Sequence, residues 1–160
     1  MTSLKYDGKE MLLAGLQPNF WRGITDNDVA NGTQERCATW REAGKNMVLK
    51  SIKTQADNQK ATVTADFDMP EQESQMQITY QMLANGNVEV NMHFMPGNKA
   101  LPEMPRLGMR MILKGDYDQM SWLGRGPQEN YADRKSGYLI GKYSASVWEQ
   151  YHPYVRAQET

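Results

Sequence analysis

The amino-acid sequence predicts an all-β fold, an antiparallel β-sandwich with one short helix, and three features predict it. Apolar and polar residues alternate over most of the chain, an Asn-Gly pair separates two such runs, and a helical pattern is confined to one segment. Alternation at period two marks a strand with one buried and one wet face, because successive side chains point to opposite sides. Met76, Ile78, Tyr80 and Met82 alternate with Gln75, Gln77, Thr79 and Gln81. Val88, Val90, Met92 and Phe94 repeat the pattern after Asn85-Gly86. Both of those turn residues tolerate positive φ, so an antiparallel hairpin is expected there.

The other elements follow by the same reasoning. Met47 to Ile52 and Ala61 to Phe67 predict two strands around the polar turn Ala56-Asp57-Asn58-Gln59. Leu107, Met109, Met111 and Leu113 alternate with Arg106, Gly108 and Arg110, and Met120 to Leu123 forms a further strand. One helix is expected from about Thr33 to Ala43, with Thr33 as its cap and Gly44 as its stop. Segment 95 to 105, MPGNKALPEMP, holds three prolines and reads as a loop between strands. Most of the twelve methionines fall on the alternating faces, where a flexible thioether fills irregular core space. No repeat, linker or low-complexity tract interrupts the chain, so residues 1 to 160 are expected to form a single domain.

Composition narrows the function classes. The 160 residues are 39% apolar and 23% charged, as in a globular domain. Eighteen basic and nineteen acidic residues leave a net charge of -1, without the basic footprint that a phosphate backbone demands. Nucleic acid is not an expected partner. No stretch has the length of a membrane span, so no membrane partner is expected either. The N-terminus MTSLKYDGKEMLLAGLQ carries charge where a signal peptide keeps an apolar core, which leaves both cytoplasm and periplasm open. Cys37 is the only cysteine, so no disulfide forms within the chain, and an idle thiol is its expected state.

Two polar loops hold the candidate chemistry. In FWRGITDNDVANG, residues 20 to 32, Asp26, Asn27 and Asp28 present three adjacent oxygen-bearing side chains, the donor type that calcium prefers. An EF-hand counted from Asp26 fails at Ala30 and Asn31, and Asx side chains more often tie their own backbone into a turn ahead of a helix. No metal site is therefore assigned. The second loop is WLGRGPQENYADRKSG, residues 122 to 137. It begins like a phosphate-binding turn, but Glu129 stands where a dinucleotide fingerprint needs glycine. Arg125, Glu129, Asp133 and Arg134 can pair bidentately and lock the loop. With Gln128 and Asn130, beside Trp122 and Tyr131, the same groups also suit a sugar, which wants planar polar donors and an aromatic face.

Nineteen acids supply many carboxylate pairs, so composition does not decide for or against glycoside hydrolysis by this chain alone. Serine-hydrolase and zinc chemistry lack G-x-S-x-G, H-E-x-x-H and a cysteine pair. His152, in YHPYV, reads as a packed or capping histidine rather than a general base.

Four motifs in order then carry a resemblance. PNFWRGITDNDVANG (18 to 32), PRLGMRM (105 to 111), WLGRGPQENYADRKSG and YHPYVRAQET (151 to 160) resemble the C-terminal, small-chain domain of family 2 β-galactosidases. Its most diagnostic series is carried by Trp122, Gly124, Gly126, Pro127, Glu129, Asn130, Tyr131, Asp133 and Arg134. The resemblance implies half of a galactose-mutarotase-like supersandwich, the N-terminal half, with the family's galactose-contacting aromatic residue lying beyond Thr160. It also implies that the catalytic glutamates belong to a separate TIM-barrel domain, so no catalytic residue is expected in this segment. That barrel and a galactoside substrate are the implied partners. No cofactor is expected here, since the family's magnesium and sodium ions are held mainly by other domains. The competing readings are a stand-alone galactose-binding module and an aldose mutarotase using His93 or His152. Open strand edges in a half sandwich are expected to invite dimerisation of the isolated chain.

Overall fold

The computed structural model describes residues 1–97, 99–132 and 134–155. Its strands are β1 (Lys5–Tyr6), β2 (Lys9–Glu10), β3 (Leu12–Asn19), β4 (Val48–Ala56) and β5 (Lys60–Met69), then β6 (Ser74–Leu83), β7 (Val88–Met95), β8 (Gly108–Leu113), β9 (Gln119–Gly126) and β10 (Leu139–Ser146). Two short helices, α1 (Asp26–Ala30) and α2 (Thr33–Arg36), complete the regular structure with three 3-10 turns. The chain is all-β, as the alternation predicts, and its β1–β2, β4–β7 and β9–β10 pairings are antiparallel.

The described residues form two compact units. One holds Gln17–Arg22 and Ala30–Met109, and is built on a sheet of order β4-β5-β6-β7. The register places Ala65, Ile78 and Met92 side by side, with Phe67, Met76 and Phe94 in the next row. Odd and even positions therefore separate as the sequence predicts. Met69, Met76, Ile78 and Tyr80 are buried, while Asp66 and Gln77 bond one another at 2.8 Å on the other face. Phe20, Trp40 and Phe94 cluster on the apolar face with centroids 5.8 to 6.5 Å apart. The indole N–H of Trp40 donates to the Pro102 carbonyl at 3.1 Å, so the polar end of a 2% exposed side chain is satisfied. The expected hairpin is present, with Met82 opposite Val88. Only Gly86 takes positive φ, +88°, and four residues rather than two turn the chain, the Leu83 N–H donating to Asn87.

The helix expected over 33 to 43 is much shorter. It ends after Arg36, and a 3-10 turn over Ala38–Trp40 follows through Cys37 at φ -99°. Gly32, in left-handed geometry, precedes it, and Thr33 is buried and makes no capping bond. Packing overrides propensity here. Trp40 is held in the aromatic cluster, and the buried Gln72 amide clamps the turn by donating to Thr39 O at 2.7 Å and Thr39 Oγ1 at 2.9 Å. Gly44 does not stop a helix but admits a close approach. A methyl carbon there would stand 2.1 Å from the Pro18 carbonyl oxygen. Cys37 is buried, and burial first of all raises its thiol pKa, which keeps it protonated and inert.

The second unit holds Met1–Leu16, Gly23–Val29 and the described residues from Arg110 onward. Its N-terminal strands are fastened by Glu10, whose carboxylate accepts from the Ser3 hydroxyl and, at 3.0 Å each, from the Leu12 and Leu4 amides. These bonds, in that order, lower its pKa from 4.5 to about 2. The fold thus favours the ionised form, so its contribution is complete above about 4.5 and is lost as pH falls toward about 2. Acid melts of the chain and of Glu10→Gln are expected to show a Tm gap that closes across this window. A gap independent of pH there would show that Glu10 does not act through its charge.

In the same unit β9 and β10 form a tight hairpin ladder, Trp122 lying opposite Tyr143 and Gly126 opposite Leu139. The Tyr143 ring packs on Trp122, centroids 5.5 Å apart, and its hydroxyl reaches back to Leu139 O at 3.0 Å. That path lies over two glycines. A methyl carbon would stand 2.8 Å from Tyr143 Cδ2 if placed on Gly126 and 3.1 Å from Cζ if placed on Gly141.

Candidate functional site

The loop after β9 is shaped from within. The indole N–H of Trp122 donates to Arg125 O at 3.1 Å, and Asn130 Nδ2 reaches Arg125 O and Gln128 O at 3.3 Å each. Tyr131 and Arg134 pair backbone to backbone, the Arg134 N–H donating at 2.9 Å. Arg125 differs from expectation. Its guanidinium donates to the carbonyls of Tyr138, at 2.8 Å, and Lys135, at 3.2 Å, and among the described residues it pairs with no loop carboxylate. It ties the far end of the loop to the start, which a flexible ammonium would do less well than a planar fork. Arg134 does pair with Glu129, at 3.5 Å. Asp133 lies outside the described residues.

A cavity of about 430 Å³ opens between this loop and the segment after β10. Trp122, Glu129 and Arg134 line it, together with Pro127 and Gln128 on the loop side. Ser144, Ala145, Glu149, Gln150, Tyr151, His152 and Tyr154 close the other side. The Asp26-Asn27-Asp28 group does not line it. Asp28 accepts from the Thr25 amide and hydroxyl at 3.0 and 3.1 Å, while its own N–H donates to Thr25 Oγ1 at 3.3 Å. These reciprocal bonds cap α1, the turn-forming role expected of Asx residues.

The second wall is set by the same device. Ser146 and Glu149 cap the 3-10 turn Trp148–Gln150, with Glu149 Oε2 accepting from the Ser146 N–H at 2.7 Å and hydroxyl at 2.8 Å. Those bonds lower the Glu149 pKa and keep it ionised. The turn then delivers Tyr151, stacked on Trp148 at 5.7 Å, and His152, set edge-on to Tyr154 at 4.3 Å. His152 keeps an exposed ring whose one aromatic contact among the described residues is Tyr154. Sequence reasoning did not assign Glu149, Tyr151 or Tyr154 to a site. The spacing Ser146-x-x-Glu149 just ahead of an aromatic run was the available signal.

Glu129 is the unusual group. Its side chain is 27% exposed, yet Oε1 is sealed from solvent and accepts no hydrogen bond. The Arg134 nitrogen at 3.5 Å is close enough to count as an ion pair and too far to count as a good hydrogen bond. The two groups attract one another while both keep hydrogen-bonding capacity in hand.

Fold and loop together define one class of protein domain. The family model described as beta galactosidase small chain matches residues 1–160, and the chain belongs to that family. It is 35% identical over 157 residues to the beta-galactosidase of Priestia megaterium, a match covering 98% of this chain and 15% of that protein. It is 33% identical over 147 residues to the beta-galactosidase of Clostridium acetobutylicum, covering 91% and 16%. The beta-galactosidase of Lactobacillus delbrueckii subsp. bulgaricus is 33% identical over 159 residues, covering 99% and 16%. The chain thus spans about 15% of the length of the curated relatives it matches.

Proposed function

We propose that this chain serves as a non-catalytic domain of a β-galactosidase, packing against the catalytic barrel and helping to shape its sugar pocket. The barrel's two carboxylates would hydrolyse terminal β-galactosides. The supporting observation is a hairpin that exposes large apolar side chains on both faces. Leu139 is 77% exposed on the face that carries Trp122 and Tyr143, while Leu123 and Ile140 are 81% and 73% exposed on the opposite face. Trp148, just beyond β10, is 79% exposed. The Leu123 and Ile140 face also carries Arg125, Lys142 and the bonded Ser121–Ser144 pair, so its aliphatic side chains stand exposed among polar ones. Such exposed aliphatics on both faces suit burial against another domain. The loop's polar groups are directed mostly at its own backbone, which supports scaffolding rather than chemistry.

The test uses a β-galactosidase that includes this chain. Leu123→Asp combined with Ile140→Asp is expected to lower activity and thermal stability together, while the 160-residue chain alone hydrolyses no nitrophenyl galactoside. Hydrolysis by the chain alone, or an enzyme indifferent to both aspartates, would overturn the proposal.

A further inference from the structure

We infer that the chain pairs with a second copy of itself along strand β7, in one antiparallel register set by Glu89 and His93. This surface lies in the other unit from β9 and β10, so it goes beyond the docking role. The sheet β4-β5-β6-β7 has two outer edges, and among the described residues no further strand pairs with either. The edges differ in the features that keep a strand from finding a partner. β4 carries Lys50 and Lys53, and a bulge interrupts its register between Leu49 and Ser51. β7 has neither lysine nor proline, and its register on β6 runs unbroken from Val88 to Met95.

The backbone limits which registers can form. The Leu83 N–H donates to Asn87 O at 2.8 Å across the hairpin, so Asn87 turns its backbone groups toward β6. Direction alternates along an antiparallel strand, so Glu89, Asn91 and His93 also bond inward. Val88, Val90, Met92 and Phe94 then offer their N–H and C=O groups outward. Two copies exchange those bonds only where even-numbered positions face even-numbered ones. Centring the pair on Asn91 sets Val90 opposite Met92 and Val88 opposite Phe94 as bonded pairs. It also sets Glu89 opposite His93 on each side of the twofold axis. These are the narrow, non-hydrogen-bonded positions, where facing side chains come closest. A centre at Val90 faces Glu89 with Asn91 and one at Met92 faces it with Met95, so both lose the Glu–His pairs. A carboxylate accepts from the ring N–H of a neutral or a charged imidazole. Glu89 and His93 are exposed, and neither side chain is spent on a bond among the described residues. A depression of about 390 Å³ beside Glu89, lined also by Thr79, Gln81 and Asn91, leaves room for the facing ring. A net charge of -1 adds little repulsion between copies.

Sedimentation velocity of the 160-residue chain over a concentration series tests this, together with covalent trapping of the register. A monomer–dimer equilibrium is expected. Asn91→Cys should form a disulfide-linked dimer under mild oxidation, because its two copies face one another with Cα atoms about 4.5 Å apart. Lys53→Cys on β4 should not, and the buried Cys37 keeps the background low. Glu89→Ala should weaken association about ten-fold, since symmetry deletes the cross-strand pair twice. Combining Glu89→His with His93→Glu should restore it. Val90→Pro removes an outward N–H and no bond to β6, so it should abolish the dimer in a chain that still melts cooperatively. A chain that stays monomeric overturns the inference, as does a charge swap that fails to restore pairing. Cross-linking of Lys53→Cys equal to that of Asn91→Cys also overturns it. So does a dimer dissolved by Leu123→Asp with Ile140→Asp, which would move the contact to the β9–β10 hairpin and leave the docking proposal standing.

Discussion

Replacing Trp40 by alanine is expected to cost about 4 kcal/mol of unfolding free energy, the scale measured for emptied aromatic core sites. Three consequences combine. The side chain is 2% exposed, so its whole apolar surface leaves a filled space between Phe20 and Phe94. The Pro102 carbonyl loses the indole N–H that donates to it at 3.1 Å. The 3-10 turn that Trp40 ends, which replaced the predicted helix, loses its anchor against the sheet. A domain of this size has about 5 to 15 kcal/mol in total, so the variant should populate unfolded chain at ambient temperature. Urea titration followed by circular dichroism measures the loss. Trp40→Phe keeps most of the packing and should cost less than half as much. If alanine costs under about 1 kcal/mol, the cluster is not the core of its unit.

Gly44→Ala should be nearly as damaging, through overpacking rather than a void. The added carbon would lie 2.1 Å from the Pro18 carbonyl oxygen, and backbone on both sides must separate to admit it. Overpacking of this kind costs about 3 kcal/mol, against the few tenths usually gained when glycine becomes alanine. Gly115→Ala and Gly137→Ala provide the control, since an added carbon meets nothing within 4 Å at either place. The expected ranking in thermal melts is a large drop for position 44 and little change for 115 and 137. Equal effects at all three would point to unfolded-state entropy in place of the clash.

These substitutions mark where sequence reasoning succeeded and where it did not. Strand β6 was the most legible because it buries one face, so Met76, Ile78 and Tyr80 announce themselves against Gln75, Gln77 and Thr79. The extent of α2 was not, because an aromatic contact and the Gln72 clamp decide it, and these come from residues thirty or more positions away. The site was half visible. Trp122, Glu129 and Arg134 stood out as a dense polar loop, but the wall carrying Glu149, Tyr151 and Tyr154 arrives through β9–β10 pairing, which period-two patterning does not specify. The bonds of Arg125 to the Lys135 and Tyr138 carbonyls were not legible, because backbone carbonyls have no signature in sequence.

The path of Tyr143 across the hairpin also limits how this sequence can drift. Its ring lies over Gly126 and Gly141, on the two paired strands and fifteen positions apart in the chain, so a side chain at Gly126 clashes with the ring and one at Gly141 must displace it while the tyrosine stays. Loss of the tyrosine would in turn leave bare backbone on both strands and remove the neighbour of Trp122. The three positions therefore behave as one inherited unit, in which a change at one is tolerable only with a matching change at another. Gly124, where an added carbon meets only Trp122 at an ordinary 3.6 Å, lies outside that unit and can vary alone. Two glycines of one short motif thus carry different evolutionary freedom, set by where a single ring comes to rest.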